Sequence, residues 1–265
     1  MLQMNSEELP DGIGESAERG EFDQVKAWLA GGTASAPRSI NAGDETGWTL
    51  LMWTARGESP EHVEFVRYLI SRGARVDVQS MGRGFSALHF ACRHAGETTS
   101  ANDMVSVLIA AGAPVNAGTI HGPRTPLFMI RTVSESTIDV VTAMLRAGAS
   151  LDSSRYVNGT GQDQSFEEHL NEIDEGTEHG DAIRTLVASV RAAGSWKAHC
   201  KLAHKEVLRL RSLVARGRVK LPSRTRRRSP PRGCDARQER ALEFLVRQGD
   251  NGIVWNILSF WRATY

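Results

Sequence analysis

The sequence predicts an all-α solenoid of about four to five stacked helix–turn–helix units with hairpin-like finger turns, and three observations carry the prediction. The first is recurrence. "GWTLLMWTA" at 47–55 returns as "GFSALHFAC" at 84–92 and "PRTPLFMIR" at 123–131. Aligned on Thr49, Ser86 and Thr125, a hydroxyl residue precedes Leu51, Leu88 or Leu127, at intervals of 37 and 39 residues, within the range of solenoid repeats. The second is a shared downstream signature: "VRYLISRGARVD" (66–77), "VSVLIAAGAPVN" (105–116) and "VTAMLRAGASLD" (141–152). The third is the glycine inside that signature. Gly73, Gly112 and Gly148 follow the second helix, where a left-handed residue closes the helix and suits glycine.

Each element then follows in chain order. A partial first copy lies in "AERGEFDQVKAWLAGG" (17–32), with Ala17, Gly20, Val25, Leu29 and Gly32 in the repeated positions. In the next three copies the hydroxyl of Thr49, Ser86 or Thr125 is placed to cap the first helix. Small residues such as Ala55 and Ala91 let neighbouring helices approach closely. Extra residues fall between the two helices, in "GESPEH" and "HAGETTSAND", lengthening one face without breaking the stack. The fourth copy departs from the pattern: Arg131 stands where a small residue is expected and Pro123 replaces the turn glycine, so this copy is predicted to be distorted. A degraded fifth copy spans roughly 160–194, where "AIRTLVASVRAAG" reads as a second helix.

The pattern resembles the ankyrin repeat, D-x-x-G-x-T-P-L-H-x-A-A followed by L-L-x-x-G-A-x-V-N. From Asp44 the chain reads D-E-T-G-W-T-L-L-M-W-T-A; the third copy supplies Leu88-His89 and the fourth Thr125-Pro126-Leu127. The resemblance covers about 13–194. It implies a non-catalytic scaffold that binds another protein through a concave groove lined by finger turns and first helices. By that resemblance Trp48, Phe85 and Arg124, each just before the capping residue, stand in register along the groove. Arg83, His121, Arg56, Arg93 and His94 are placed nearby. Trp and Arg are enriched at binding hot spots; local packing of Trp48 and Phe85 against a finger is the competing reading.

Beyond the repeats, residues 195–218 read as a basic amphipathic helix capping the stack. Trp196, Cys200, Ala203, Val207, Leu210 and Val214 make one apolar stripe. Residues 219–238, "VKLPSRTRRRSPPRGCDARQ", read as a disordered linker rich in Arg, Ser and Pro. The stretch suits a solvated linker, a weak contact with acidic surfaces or nucleic acid, or attraction to the body of the same chain. Residues 196–240 carry fifteen Lys/Arg against three acids, a surplus of twelve; with +1 for the whole chain, the rest carries −11. Residues 239–265 end in the apolar "IVWNILSFWRATY". "NGIVWNILSFW" weakly resembles the F-box core, with Gly249-Asp250 in place of the Leu-Pro entry. That likeness implies a ubiquitin-ligase adaptor as the alternative to a helix packed on the solenoid.

Residues 1–12 form a polar tail without the look of a secretory signal peptide. The longest apolar run, 253–261, is far short of the roughly 20 residues of a membrane span, so no membrane partner is expected. Three cysteines, Cys92, Cys200 and Cys234, lack paired spacing and favour a reducing, intracellular setting, cytoplasm or nucleus. The "NGT" at 158–160 is a formal glycosylation sequon. Gly82-x-Gly84-x-x-Ala87, with Asp103 downstream, outlines a dinucleotide turn and hence a nicotinamide-dependent enzyme. The matching register in the other copies lacks that cradle, so no cofactor is expected. Cys200 and His204 share a helix face at metal-ligand spacing, but no second pair joins them and no metal is expected. His89 and Cys92 read as packing residues.

Overall fold

A computed structural model describes residues 8–31, 38–120, 124–151, 155–156, 163–174, 176–202 and 205. The chain divides into two compact units, Met1–His199 and Cys200–Tyr265. Of the second unit only 200–202 and 205 are described, so the linker at 219–238, the segment at 239–265 and most of the helix proposed for 195–218 lie outside the described residues. Residues 196–202 are helical.

The first unit is an all-α repeat solenoid built from helical pairs. These are α1 (Asp11–Arg19) with α2 (Phe22–Ala30), α3 (Leu50–Thr54) with α4 (Pro60–Ser71), and α5 (Ala87–Arg93) with α6 (Thr99–Ala110). A 3-10 turn at Pro126–Met129 then pairs with α7 (Glu135–Arg146), and α8 (Phe166–Ile173) with α9 (Glu178–Ala193). First members touch in a row: α1 on α3, α3 on α5, α5 on the 3-10 turn, and that turn on α8. Second members make another row, α4 on α6, α6 on α7 and α7 on α9. A two-residue antiparallel hairpin, β1 (Arg155–Tyr156) with β2 (Asp163–Gln164), precedes α8.

The core lies between the rows. The repeated leucines Leu51, Leu88 and Leu127 are at most 1% exposed, and each such burial stabilises by about 1.5–3 kcal/mol. In α4 the buried Val63, Phe65, Val66 and Leu69 fall on one face, the spacing of an amphipathic helix. Pro60 opens that helix in its first turn, where a missing N–H leaves nothing unsatisfied.

The capping hydroxyls behave differently in successive copies. Thr49 Oγ1 accepts the Met52 N–H at 3.4 Å. Ser86 and His89 form a reciprocal capping box, with the Ser86 N–H donated to His89 Nδ1 at 3.0 Å. The cap expected of Thr125 does not form: its Oγ1 is buried with no hydrogen-bond partner among the described residues. Pro126 has no N–H to offer, and the Phe128 N–H goes to the Thr125 carbonyl oxygen at 3.0 Å. The fourth copy is distorted at the same place. The chain leaves the helical region at Ile130 (φ −61°, ψ 129°), which carries the bulky Arg131 out to an exposed position instead of into the close helix contact that Ala55 occupies. The first helix of the fifth copy, α8, starts from a box in which Ser165 N–H donates to Glu168 Oε2 at 2.7 Å and Ser165 Oγ accepts the Glu168 N–H at 3.3 Å.

Successive fingers are locked to one another. Within the second copy's finger the hairpin character reduces to one bridge, Gly43 with Thr49. Gly47 has φ +76° and a Cβ there would lie 2.8 Å from Met81 Cγ, while the Met81 N–H donates to the Thr46 carbonyl at 2.9 Å. Gly84 repeats this at φ +73° against Ile120, whose N–H donates to the Arg83 carbonyl at 3.0 Å. Only glycine combines that φ with that approach.

Behind the fingers, an asparagine clasp joins alternate junctions. Asn41 Nδ2 donates to the Gly73 carbonyl at 3.3 Å and its Oδ1 accepts the Arg75 N–H at 2.7 Å. Asn116 does the same with Gly148 (2.9 Å) and Ser150 (2.8 Å). Between them the register places Asp77 opposite Gly112 and Pro114. A carboxylate cannot donate and proline has no N–H, so Asp77 turns to Arg75, at 3.0 Å. Two residues on, Gln79 Nε2 donates to the Gly118 carbonyl at 2.9 Å instead.

Candidate functional site

A cavity of about 330 Å³ opens between the fingers and the first helices of the second and third copies. Its apolar walls are rings. Trp48 and Phe90 have centroids 4.5 Å apart, and Phe85 lies 5.6 Å from Phe90. Thr46, Ser80 and Gly82 come from the fingers, and Arg56, Arg83 and Arg93 complete the lining.

Local folding fixes each of these side chains. Asp44 organises the second finger: its Oδ1 accepts the N–H of Thr46 (2.8 Å) and of Trp48 (2.9 Å), and its Oδ2 accepts Trp53 Nε1–H at 2.9 Å. Trp48 and Trp53 are therefore held by one carboxylate, with ring centroids 4.8 Å apart. Arg56 lies over both rings, 5.2 and 5.5 Å from their centroids, and pairs with Glu18 at 3.1 Å. Such stacking is worth about 0.5–1 kcal/mol at exposed sites. In the third finger Ser80 Oγ accepts the Phe85 N–H at 3.0 Å. Arg83 and Arg93 are exposed and form no ion pair among the described residues.

Of the residues expected along the groove, Trp48, Phe85, Arg56, Arg83 and Arg93 are brought together here. Arg124 and His94 do not line this cavity. Arg124 is half-buried beside the 3-10 turn, where its carbonyl oxygen accepts from His89 Nε2 at 3.1 Å. His94 lies between α5 and α6, with Nδ1 2.8 Å from Glu58 and 3.2 Å from Glu97. This contact joins the two inserted loops. His121 lies outside the described residues. Phe90 was missed by sequence reasoning, although it occupies the position of Trp53 one copy earlier. That aromatic recurrence was the available signal.

His89 and Cys92 serve packing. His89 is fully buried, and burial draws its pKa down from 6.5 to about 4, so at neutral pH the ring is uncharged. Ser86 N–H at Nδ1 then fixes the tautomer with the proton on Nε2, aimed at the Arg124 carbonyl. Burial pushes the Cys92 thiol up, away from the reactive thiolate. Gly82 and Gly84 stand in a finger turn, and residues 75–80 before them hold no strand, so the dinucleotide outline lacks its βα context. Cys200 is a free, buried thiol, while His204, Cys234, the sequon at 158–160 and the apolar run at 253–261 lie outside the described residues. Among the described residues no helix is long and apolar enough to cross a membrane.

A family model for ankyrin repeats, in three copies, matches residues 14–119. Residues 14–119 are ankyrin repeats. The matched segment runs from within α1 through α6 and contains every residue of the cavity. Ankyrin repeats are protein–protein interaction modules and typically non-catalytic. A second depression, lined by Phe22, Lys26, Pro60, Glu61, Glu64, Phe65 and Tyr68, lies on the α2 and α4 side of the repeats and mixes both signs of charge.

Proposed function

We propose that this chain binds another protein through the face where the fingers at 44–47 and 80–84 meet α3 and α5, without catalysing a reaction. The observation that carries the reading is the cavity: three aromatic rings beside arginines, on the side of the repeats that the fingers frame. Aromatic and arginine side chains around a recess are the composition of binding hot spots. Arg124, His121 and His94 extend the same proposal to the neighbouring fourth finger and inserted loops. In the test, proteins captured from lysate by the full chain are compared with those captured by Trp48→Ala/Phe85→Ala and by Glu64→Ala on the other depression. The double variant is expected to lose them and Glu64→Ala to keep them. Equal capture by a double variant that still melts cooperatively would remove the assignment.

A further inference from the structure

Residues 1–195 carry fifteen Lys/Arg against twenty-six Asp/Glu, yet the cavity lining holds three of those arginines and no acid. On an acidic body this is a local reversal of sign. Two of the three guanidinium groups are uncompensated. Arg56 is held by Glu18 and by the rings beneath it, whereas Arg83 and Arg93 are exposed and unpaired among the described residues. A recess of about 330 Å³ lies at the small end of the about 300–1,000 Å³ of ligand sites, enough for one or two side chains.

Resting on the binding face proposed above, we infer that the occupant is an acidic segment of a partner protein. It inserts one large apolar side chain between Trp48, Phe85 and Phe90 and sets flanking carboxylates against Arg83 and Arg93. Charge complementarity selects the acid, because Arg pairs with carboxylate through two parallel N–H···O bonds and like charges beside two bare guanidinium groups are disfavoured. The apolar walls select the anchor, since a solvated acidic chain gains nothing from three rings. A nucleic acid strand also offers a flat ring and a negative backbone, but the surplus of acids over the rest of the body repels a long polyanion.

The test uses peptides displayed from a random library of roughly twelve residues, selected on the full chain. Enriched sequences are expected to carry Phe, Trp, Leu or Met with Asp or Glu within about three positions. Their synthetic versions are expected to lose at least about tenfold in affinity on Arg83→Glu/Arg93→Glu, a change at two exposed positions that leaves the core untouched. Affinity is also expected to fall as NaCl rises from about 50 to 300 mM. Peptides that are lost on Trp48→Ala/Phe85→Ala but ignore the charge reversal overturn the acidic partner while the binding face stands. Displacement of the peptides by an equal concentration of an oligothymidylate assigns the recess to nucleic acid and also overturns it. Peptides indifferent to both variants, or no enrichment at all, overturn the face and the inference together.

Discussion

The third and fourth copies start from nearly the same words, Ser86-Ala87-Leu88-His89 and Thr125-Pro126-Leu127-Phe128, and fold differently. The third makes a seven-residue α-helix with a reciprocal cap; the fourth makes a four-residue 3-10 turn with an idle hydroxyl. The leucine that anchors each is at 0% exposure in both. Anchoring and helix length are thus separate: the leucine fixes the copy in the stack, while the fourth copy, with Pro126 opening its turn and Arg131 turned out to solvent, stops at Met129.

The largest effect should be the one the two copies share. Leu88→Ala and Leu127→Ala are each expected to cost about 2–5 kcal/mol, measured by urea denaturation. A loss below about 1 kcal/mol at Leu127 alone would mean that the shortened copy is not part of the cooperative stack.

The pH response should separate them. His89 has a folded-state pKa of about 4 against 6.5, and Phe128 holds its place in the fourth copy. A depressed pKa gives stability that is present above pH 6.5 and is lost as pH falls toward 4, because the unfolded ring takes up a proton first. The loss is on the order of 3 kcal/mol. The urea midpoint of the wild type is expected to drop across that window and that of His89→Asn to drop less; parallel curves would assign the acid sensitivity elsewhere.

The smallest effect is a difference of sign. Thr49→Val removes a working cap and is expected to destabilise by about 1 kcal/mol. Thr125→Val removes a buried hydroxyl that bonds to nothing described, and is expected to be neutral or stabilising by up to about 1 kcal/mol. Equal losses in thermal melts would show that Thr125 has a partner.

Much of this was legible in the sequence because repetition tests itself. One glycine or leucine means little, but Gly73, Gly112 and Gly148 at matching places fix both period and conformation. All three have positive φ, from +85° to +91°. Trp48 and Phe85 come from the same register, one residue before the capping hydroxyl. The missed features depend on partners that the register does not order. Whether a threonine caps depends on which N–H groups remain free, so Thr125 looked like Thr49. Nothing in the copy of His94 points to its contact with Glu58, thirty-six residues earlier. The fifth copy lacks Thr-Pro-Leu-His, which leaves the start of α8 open in the repeat pattern, although Ser165-Phe-Glu-Glu168 spells a capping box.

The asparagine clasps bear on how such a chain can be shortened or duplicated. Each joint is encoded in two halves on neighbouring copies: Asn41 with Gly73 and Arg75, Asp77 with the donor-less Pro114, Asn116 with Gly148 and Ser150. Excising one copy would bring Asp77 against Gly148 and Ser150, where a carboxylate can accept one N–H but faces a carbonyl oxygen it cannot serve. Excising two leaves like facing like. For inheritance and for recombination, the exchangeable unit in this array is therefore the pair of repeats.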